Sequence, residues 1–411
     1  MDIARKKLAY ASPLRPQASG VSDYSEELLP YLARAFDITL VTDNLTPTNP
    51  ALASFAKMDL RELGARAQAF DAIVYHIGNA PLYANFYTTS LCVPGVIVLH
   101  DVVLHHLRAW QTIERGNASA YFDALRAAYG ETIAAQAQQN PAALNRFDFP
   151  LSEEVIRHAR GVIAHSAYAA HFVRRVAPQV PVAHVPMGIP PVPEIAPTAA
   201  RARLGFRDEL FLIAAFGEVH PHKRIAVALE AFAEFFARHD NARLLLVGSE
   251  SPNYDVATLL RALGIENFVQ RVGFVPMRTY QDYIAASDVC LNLRYPSAGE
   301  TSASLLRLLG AGKMTFVTRT AAYAELPDDV CVKIEPDAYE KHLLVEYLEY
   351  FFAHPHARQH IGSNARAYVQ QHHTMEQSAQ GYVEFLNSEF GIRNSKFKIQ
   401  NSKFKIRNSD F

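Results

Sequence analysis

Short runs of apolar residues alternate with longer amphipathic segments along most of this chain. Several short runs, such as Phe211–Phe216, are apolar without alternation, which is typical of strands covered on both faces. Longer segments, such as Ile225–Arg238, repeat apolar residues at helical spacing. This alternation predicts parallel sheets with right-handed crossovers. The predicted strands are Leu8–Ala11, Ile38–Thr42, Ala72–His76, Val96–His100, Val162–His165, Phe211–Phe216, Leu244–Gly248, Val289–Leu293, Thr315–Thr318 and Val330–Ile334.

A proline-rich stretch divides this pattern into two halves. Residues 188–198 read GIPPVPEIAPT, with four prolines in eleven residues, which neither a helix nor a central strand accommodates. We therefore expect an N-terminal domain at 1–190 and a C-terminal domain at 191–374, followed by a last helix at 375–391 and a basic tail at 392–411. The predicted fold class is α/β, with two Rossmann-like, doubly wound parallel sheets facing each other across a cleft.

The tail contains a seven-residue repeat that begins at Asn394, NSKFKIQ-NSKFKIR. Residues 393–411 carry six basic side chains and one acidic side chain, whereas the whole chain has a net charge of −1. We expect the tail to be a solvated, disordered extension, with contact to anionic lipid as the alternative. Because the rest of the chain is net acidic, the charge argues against a general nucleic-acid binder.

Composition narrows the class of protein further. The 411 residues are 49% hydrophobic and 20% charged, which suits a folded protein and excludes a disordered chain. The three cysteines (Cys92, Cys290 and Cys331) have neither zinc-like nor paired spacing, so we expect reduced thiols. No apolar run approaches the roughly 18 residues of a membrane span. The expected location is cytoplasmic, with peripheral contact at the inner face of the membrane left open.

Two segments of the N-terminal half follow predicted strands at ends that should face the cleft. In SGVSDYS, Gly20 stands at a strand-to-helix junction, where backbone amides can approach an anionic or polyhydroxyl ligand, and Ser22 or Asp23 is expected to cap the helix. The segment lacks the G-x-G-x-x-G fingerprint of a nicotinamide dehydrogenase. In VIVLHD, His100 and Asp101 end a strand.

His100 is expected to hydrogen-bond a substrate hydroxyl, because the end of such a strand points into the cleft. The alternatives are a purely structural histidine and a metal site shared with His105 and His106. An HD-type phosphohydrolase is excluded, since its histidines and aspartates would lie on helices.

Two segments of the C-terminal half indicate anion binding. In GEVHPHKRIAV, a strand ends at Gly217, and Lys223 and Arg224 precede an amphipathic helix. Basic residues oppose the helix dipole there, so a bound phosphate would offset their cost; a solvated basic pair is the alternative. In GETSASLLRLLGAGK, Thr301 and Ser302 are good caps for a helix whose first amides would form an anion site.

The ordered set of these motifs, spanning residues 7–388, resembles the family 4 retaining glycosyltransferases (glycosyl transferases group 1). The segments SG-x-x-DYS, the HD strand end, G-x-V-x-P-x-KR, GFV and GETSASLLRLLGAGK carry the resemblance. It implies the GT-B fold, a nucleotide-diphospho-sugar donor bound mainly by the C-terminal domain, and no metal or other cofactor. It also implies sugar transfer with retention to a carbohydrate or lipid-linked acceptor, in polysaccharide, glycolipid or glycoconjugate synthesis. The last helix would cross back to the N-terminal domain.

The resemblance also implies roles for individual residues. Lys223 would bind the donor diphosphate, and His100 would lie near the transferred sugar. The implied catalytic residues are His100, Lys223 and Glu300. The implied acceptor-side residues are Asp23, Tyr24 and Asp101. The implied donor-binding residues are Gly20, Gly217, Lys223, Arg224, Gly273, Phe274, Val275, Glu300, Thr301, Ser302, Ala303 and Arg307.

The sequence departs from the family pattern in two places. Arg307 stands where the second, ribose-binding glutamate is expected, and Gly299 stands where the first is expected, with Glu300 one step later. Glu218 aligns with the arginine that usually accompanies the diphosphate lysine, for which Arg224 could substitute. Two alternatives therefore stay open: a non-catalytic subunit that binds a sugar nucleotide or a partner enzyme, and an epimerase.

Overall fold

The computed structural model describes residues 5–389, so the predictions for the tail at 392–411 and its repeat lie outside the described residues. The N-terminal domain contains one sheet of seven parallel strands. Its strands are Lys6–Ala11 (β1), Phe36–Thr42 (β2), Ala56–Asp59 (β3), Ala72–Ile77 (β4), Val96–Leu99 (β5), Gly161–Ala164 (β6) and Val182–His184 (β7), in the spatial order β3-β2-β1-β4-β5-β6-β7. Its helices are Gly20–Leu32 (α1), Leu63–Arg66 (α2), Ala84–Cys92 (α3), His105–Gln111 (α4), Ala118–Tyr129 (α5), Glu131–Gln139 (α6), Glu153–His158 (α7) and Ala167–Val176 (α8).

The C-terminal domain repeats this plan with six parallel strands. They are Phe211–Phe216 (β8), Ala242–Val247 (β9), Val269–Gly273 (β10), Val289–Asn292 (β11), Thr315–Thr318 (β12) and Val332–Ile334 (β13), in the order β10-β9-β8-β11-β12-β13. The helices are Pro197–Leu204 (α9), Ile225–Phe236 (α10), Val256–Ala262 (α11), Met277–Ala286 (α12), Ala303–Gly310 (α13), Glu340–Ala353 (α14), Pro355–His372 (α15) and Met375–Glu389 (α16). The predicted fold class, two doubly wound parallel sheets, is confirmed.

The central strands are buried on both faces, as their unbroken apolar sequences predict. All four residues of β5, VIVL, are buried, and helices cover both sides of the sheet. Among the described helices, none combines the length and the apolar character needed to cross a membrane.

The chain passes between the two domains at two adjacent places. The chain leaves the N-terminal domain at Ile189 and passes back towards it at Thr374, and these two residues form a parallel bridge. The amide of Ile189 donates to the carbonyl of His373 at 2.9 Å. The neighbouring Gly188 has no room for a side chain, because a Cβ atom there would lie 2.6 Å from the carbonyl oxygen of Thr374. Helix α16 then packs on α1, where the hydroxyls of Tyr24 and Ser378 lie 2.9 Å apart.

The start of α1 differs from the prediction. The side chain of Ser19 accepts a hydrogen bond from the amide of Ser22 at 3.0 Å and caps a helix that begins at Gly20. The expectation that Ser22 or Asp23 is the cap is therefore wrong. The earlier start places Gly20, Asp23 and Tyr24 in the first turns of α1.

Candidate active site

A cavity of about 290 Å³, the first cavity, lies between the two domains. The carboxyl ends of β8, β9 and β10 form one side of it, and the beginning of α1 forms the other. Phe274 is 81% exposed as a residue, so its ring is free to stack on a planar group. The first cavity brings together these predicted residues: Gly20, Asp23, Tyr24, Gly217, Gly273, Phe274, Val275, Ala303 and Arg307.

An ion pair spans the first cavity from one domain to the other. Nη2 of Arg307, on α13, lies 2.7 and 2.8 Å from the two carboxylate oxygens of Glu27, on α1. Burial raises the pKa of Glu27, and Arg307 opposes that rise. Sequence reasoning identified Arg307 as a departure from the family pattern and missed Glu27, its partner from the other domain.

We predict that the Arg307–Glu27 pair contributes measurably to stability. The two side chains are only 12% and 25% exposed, so water screens their attraction weakly. In a double-mutant cycle with Arg307→Met and Glu27→Gln, the coupling energy from urea unfolding should be on the order of 0.5–3 kcal/mol. Arg34, in the turn after α1, and Glu376, on α16, form an exposed ion pair that serves as the control and should couple more weakly. Equal coupling energies for the two pairs would contradict the prediction.

Charged side chains from both domains form a second feature, the central charged cluster of Asp101, Lys223, Arg294 and Glu300. Arg294 forms a buried ion pair with Glu300, which also accepts a 2.8 Å hydrogen bond from the hydroxyl of Ser297. The charges of Arg294 and Asp101 both act on the pKa of the Lys223 amine. Burial lowers the pKa of Lys223 well below its usual value, and Arg294 lowers it further.

Asp101 is the contribution of the N-terminal domain to this cluster. Its Oδ2 accepts a 2.7 Å hydrogen bond from the amide of Asn79. Burial raises the pKa of Asp101 to about 6, although that hydrogen bond, Arg294 and Lys223 all oppose the rise. The cluster therefore joins the end of β5 to the loops of the C-terminal domain.

The loop that carries Glu300 also touches the N-terminal domain. The amide of Val103 donates to the carbonyl of Ala298 at 2.9 Å. Gly299 has φ 80°, a left-handed conformation that favours glycine. A Cβ atom there would lie 2.7 Å from Cβ of Val102, so there is also no room for a side chain. The carboxylate of Glu300 is thus held by Arg294 and Ser297 beside a closed interdomain contact.

Arg224 does not join the predicted donor-binding residues. Its guanidinium pairs with Glu340, whose side chain is 2% exposed, and its backbone adopts φ 57° at the start of α10. Arg224 is thus paired with Glu340 and does not line the first cavity, whereas Glu218 does. Thr301 and Ser302 line a separate interdomain cavity, and Ser302 caps α13 as expected, since its Oγ accepts from the amide of Leu305 at 3.2 Å.

Sheet register places a group of three histidines, the histidine cluster, at the ends of β4, β5 and β6. Leu99 pairs with Ala164, so the following residues, His100 and His165, emerge side by side with ring centroids 5.2 Å apart. Nδ1 of His76 lies 2.8 Å from Nε2 of His100. Sequence reasoning singled out His100 alone, because the strand register that aligns the three rings is not visible in the sequence.

Acidification is expected to destabilise the fold through this cluster. Burial lowers the pKa of His165 to about 4 and lowers those of His76 and His100 strongly. Because the folded pKa values are depressed, this stability is complete above the unfolded value of about 6.5 and is lost as the pH falls towards 4. The raised pKa values of Asp101, Glu27 and Glu325 act in the opposite direction. The lowered pKa values of His105, His222 and His373 act in the same direction as the cluster, so the variant at His165 is needed to isolate its share.

The measurement is the urea midpoint at about pH 7 and about pH 5 for the unmodified chain and for His165→Asn. We expect a lower midpoint at the lower pH and a smaller decrease in the variant. An identical decrease in both proteins would show that His165 does not contribute.

Within residues 5–389, no three His, Cys, Asp or Glu side chains are grouped so as to hold a metal ion.

Comparison with known proteins agrees with this architecture. The family model described as glycosyl transferase-like matches residues 223–384. Sucrose-phosphate synthase from Thermosynechococcus elongatus superposes with a TM-score of 0.67 at 16% identity, over 95% of this chain and 100% of the other. None of the curated proteins compared gives a significant sequence match.

Two further solved structures are similar. HepE from Anabaena, solved with UDP-glucose, has a TM-score of 0.68 at 16% identity and covers 93% of this chain and 100% of its own. WaaG, a glycosyltransferase involved in lipopolysaccharide biosynthesis, has a TM-score of 0.64 at 16% identity, covering 92% of this chain and 99% of its own. The chain therefore has the GT-B fold, and its C-terminal domain matches the glycosyl transferase-like family.

Proposed function

We propose that the chain is a family 4 retaining glycosyltransferase that moves a sugar from a nucleotide-diphospho-sugar to an acceptor hydroxyl. The observation that carries the proposal is the position of the first cavity, which runs from the exposed ring of Phe274 to the N-terminus of α13. A nucleobase can stack at the first end, and a diphosphate can lie at the second. HepE, which shares the fold, has been solved with UDP and with UDP-glucose, and this supports the choice of donor.

The groups near the N-terminus of α13 suit a diphosphate leaving group. The amides of Ala303 and Ser304 are in the first turn and have no carbonyl within the helix to bind. Lys223 and Arg294 add positive charge from the central charged cluster. These donors would stabilise the negative charge that develops as the bond between the anomeric carbon and the phosphate oxygen breaks. The proposed reaction needs no metal ion or other cofactor, because these groups supply the positive charge.

The acceptor hydroxyl would attack from the face that the diphosphate leaves, and the departing phosphate oxygen would take its proton. This route suits the site, because Arg294 and Ser297 already hold Glu300, which leaves that carboxylate poorly placed as a nucleophile. His76 occupies Nε2 of His100, so Nδ1 is the nitrogen available to orient a sugar hydroxyl. We place this reaction in the cytoplasm, in polysaccharide, glycolipid or glycoconjugate synthesis.

A second candidate is a non-catalytic subunit that binds a sugar nucleotide or a partner enzyme. Arg307 favours it, because this residue pairs with Glu27 where the family pattern has a ribose-binding carboxylate. Nucleotide binding without turnover would support this second candidate.

Nucleotide binding can be tested by thermal unfolding with UDP, GDP and ADP. One of the three is expected to raise the melting temperature as its concentration increases. At a nucleotide concentration of 100 times the dissociation constant, binding adds about 2.7 kcal/mol to the free energy of unfolding. Phe274→Ala should weaken the binding of that nucleotide by about 1–3 kcal/mol, because the stacking on the ring is lost. Tyr339→Ala, which removes an exposed aromatic ring outside the first cavity, is the control. If none of the three nucleotides stabilised the chain, the proposed donor would be wrong.

A further inference from the structure

One stretch of the N-terminal domain contains basic residues and no acidic ones. Residues 155–193, which include the end of α7 together with β6, α8 and β7, hold four arginines and neither aspartate nor glutamate. With histidines neutral, this stretch contributes +4 to a chain whose net charge is −1. Because β6 and β7 are the last two strands at one edge of the sheet, the stretch lies on one side of the domain.

The four arginines of this stretch, Arg157, Arg160, Arg174 and Arg175, form the basic face. All four are exposed, and within residues 5–389 none of them makes an ion pair or a side-chain hydrogen bond. The guanidinium of Arg175 lies 5.5 Å from the centre of the Phe172 ring. Arg157 and Arg175 line the same cavity of about 460 Å³, so α7 and α8 present them on one surface.

The acidic residues next to the basic face are engaged elsewhere. Glu154 pairs with Arg108 on α4 at 3.1 Å. Two acidic residues line the 460 Å³ cavity, of which Glu153 is buried and Asp148 accepts a 3.0 Å hydrogen bond from the side-chain amide of Asn145. The positive charge of the basic face is therefore left to solvent or to an external anion.

Two helix ends stabilise these like charges without acidic partners. Arg157 lies in the last turn of α7, and Arg174 and Arg175 lie in the last turn of α8. The unpaired carbonyl groups at the end of a helix carry partial negative charge, which favours nearby cations. The guanidinium groups consequently keep their hydrogen-bond donors free for an external anion.

The basic face lies at the end of β6 away from the cleft. Arg160 precedes β6, whereas His165 follows it and lines an interdomain cavity. The described part of the chain also ends nearby, because a Cβ atom on Gly161 would lie 2.8 Å from Cζ of Phe385, and α16 ends four residues later. Residues 393–411, which carry a further +5, thus continue from a point close to the basic face.

We propose that the basic face, together with the tail at 392–411, docks the chain on an anionic lipid surface. Clusters of four to eight basic residues are typical of such contacts. The repeat in the tail places Phe and Ile between lysines, which suits a lipid interface, where amines meet headgroups and apolar side chains enter the acyl boundary. This inference does not rest on the proposed glycosyl transfer.

The charge of the remaining chain favours a lipid surface over a nucleic acid. Of the net charge of −1, residues 155–193 and 393–411 contribute +4 and +5, which leaves −10 for all other residues. A bilayer meets one side of the chain, so acidic side chains more than about 10 Å away are screened from it. A nucleic acid that wraps around the chain would meet the acidic residues and be repelled.

The test is co-sedimentation of the full chain with vesicles of phosphatidylcholine alone and with vesicles of equal parts phosphatidylcholine and phosphatidylglycerol. Two double variants neutralise the basic face, Arg157→Gln with Arg160→Gln and Arg174→Gln with Arg175→Gln. The matched control, Arg207→Gln with Arg261→Gln, removes two exposed arginines from the C-terminal domain. A further variant replaces the tail lysines Lys396, Lys398, Lys403 and Lys405 with glutamine. The melting temperature of each variant shows whether it is folded.

We expect binding to the phosphatidylglycerol vesicles only, and weaker binding at high salt. Each double variant of the basic face should lower the vesicle affinity at least about tenfold, and the lysine variant should lower it as well. The control should stay within about twofold of the unmodified chain, because its charges lie outside the contact.

Three results would overturn the proposal. The first is equal binding to both kinds of vesicle, or binding to neither. The second is the same affinity for the basic-face variants and the control, which would leave the tail or the net charge as the cause. The third is displacement of the chain from the vesicles by duplex DNA at equal phosphate concentration, which would identify a nucleic-acid surface instead.

Discussion

Replacing Lys223 with alanine is expected to lower the turnover of a nucleotide-sugar donor by about 10²–10³, the usual cost of losing one preorganised charge-stabilising donor. Lys223 lies beside Arg294 and Asp101 in the central charged cluster, where burial and Arg294 lower its pKa well below the ordinary value. An arriving diphosphate would reverse that effect, because its negative charge favours the protonated amine. The loss should therefore appear mainly in the chemical step.

The control for this variant is Lys341→Ala, in the same domain. Lys341 forms an exposed ion pair with Glu234, so its removal should leave turnover unchanged. Circular dichroism and the melting temperature show whether each variant is folded. Near-normal turnover in a folded Lys223→Ala protein would remove Lys223 from the proposed mechanism.

Replacing Arg294 with methionine is expected to cost about 3–5 kcal/mol of stability, because it leaves Glu300 as an unpaired, buried carboxylate. The side chains of Arg294 and Glu300 are only 8% and 14% exposed. The amide of Arg294 also donates to the hydroxyl of Thr318 at 2.8 Å, which fixes the backbone next to β12. The urea midpoint of the variant measures this cost.

Two further variants distinguish the loss of the buried ion pair from the general effect of replacing an arginine with methionine. Arg319→Met removes a partner of Glu335 on the surface of the same domain, with side chains 43% and 53% exposed, and should cost less than about 1 kcal/mol. Arg294→Met combined with Glu300→Gln should recover part of the loss, since no unpaired charge remains. If Arg294→Met and Arg319→Met had the same midpoint, the buried pair would not stabilise the domain.

The central strands and the edge strand β13 could be predicted from the sequence, whereas the other edge strands, β3, β7 and β10, could not. Phe211–Phe216 and Thr315–Thr318 agree residue for residue with β8 and β12, because strands covered on both faces have unbroken apolar sequences. The unpredicted strands β3 and β10 lie at the sheet edges, and β7 closes the other edge of the N-terminal sheet. Exposed residues interrupt the apolar pattern in each of them.

The candidate site divides in the same way. Gly217 directly follows β8 and Gly20 lies in the segment after β1, so the strand pattern indicated both, whereas Gly273, the last residue of β10, was indicated only by the family resemblance. All three line the first cavity. Glu27 and His165 were not predictable, since their roles depend on partners in another domain or on a neighbouring strand. Arg294 carried one signal that was missed: it is an arginine two residues after β11, at the cleft end of the sheet.

The most direct measurement of the central claim is the release of nucleoside diphosphate from UDP-glucose, GDP-glucose and ADP-glucose by the purified chain, with and without neutral disaccharides. The proposed function predicts release from one of these donors, faster with acceptor present and about 10²–10³ slower in Lys223→Ala. No acceptor-dependent release from any of the three donors, by a chain that binds the nucleotide, would contradict glycosyl transfer and favour the non-catalytic subunit.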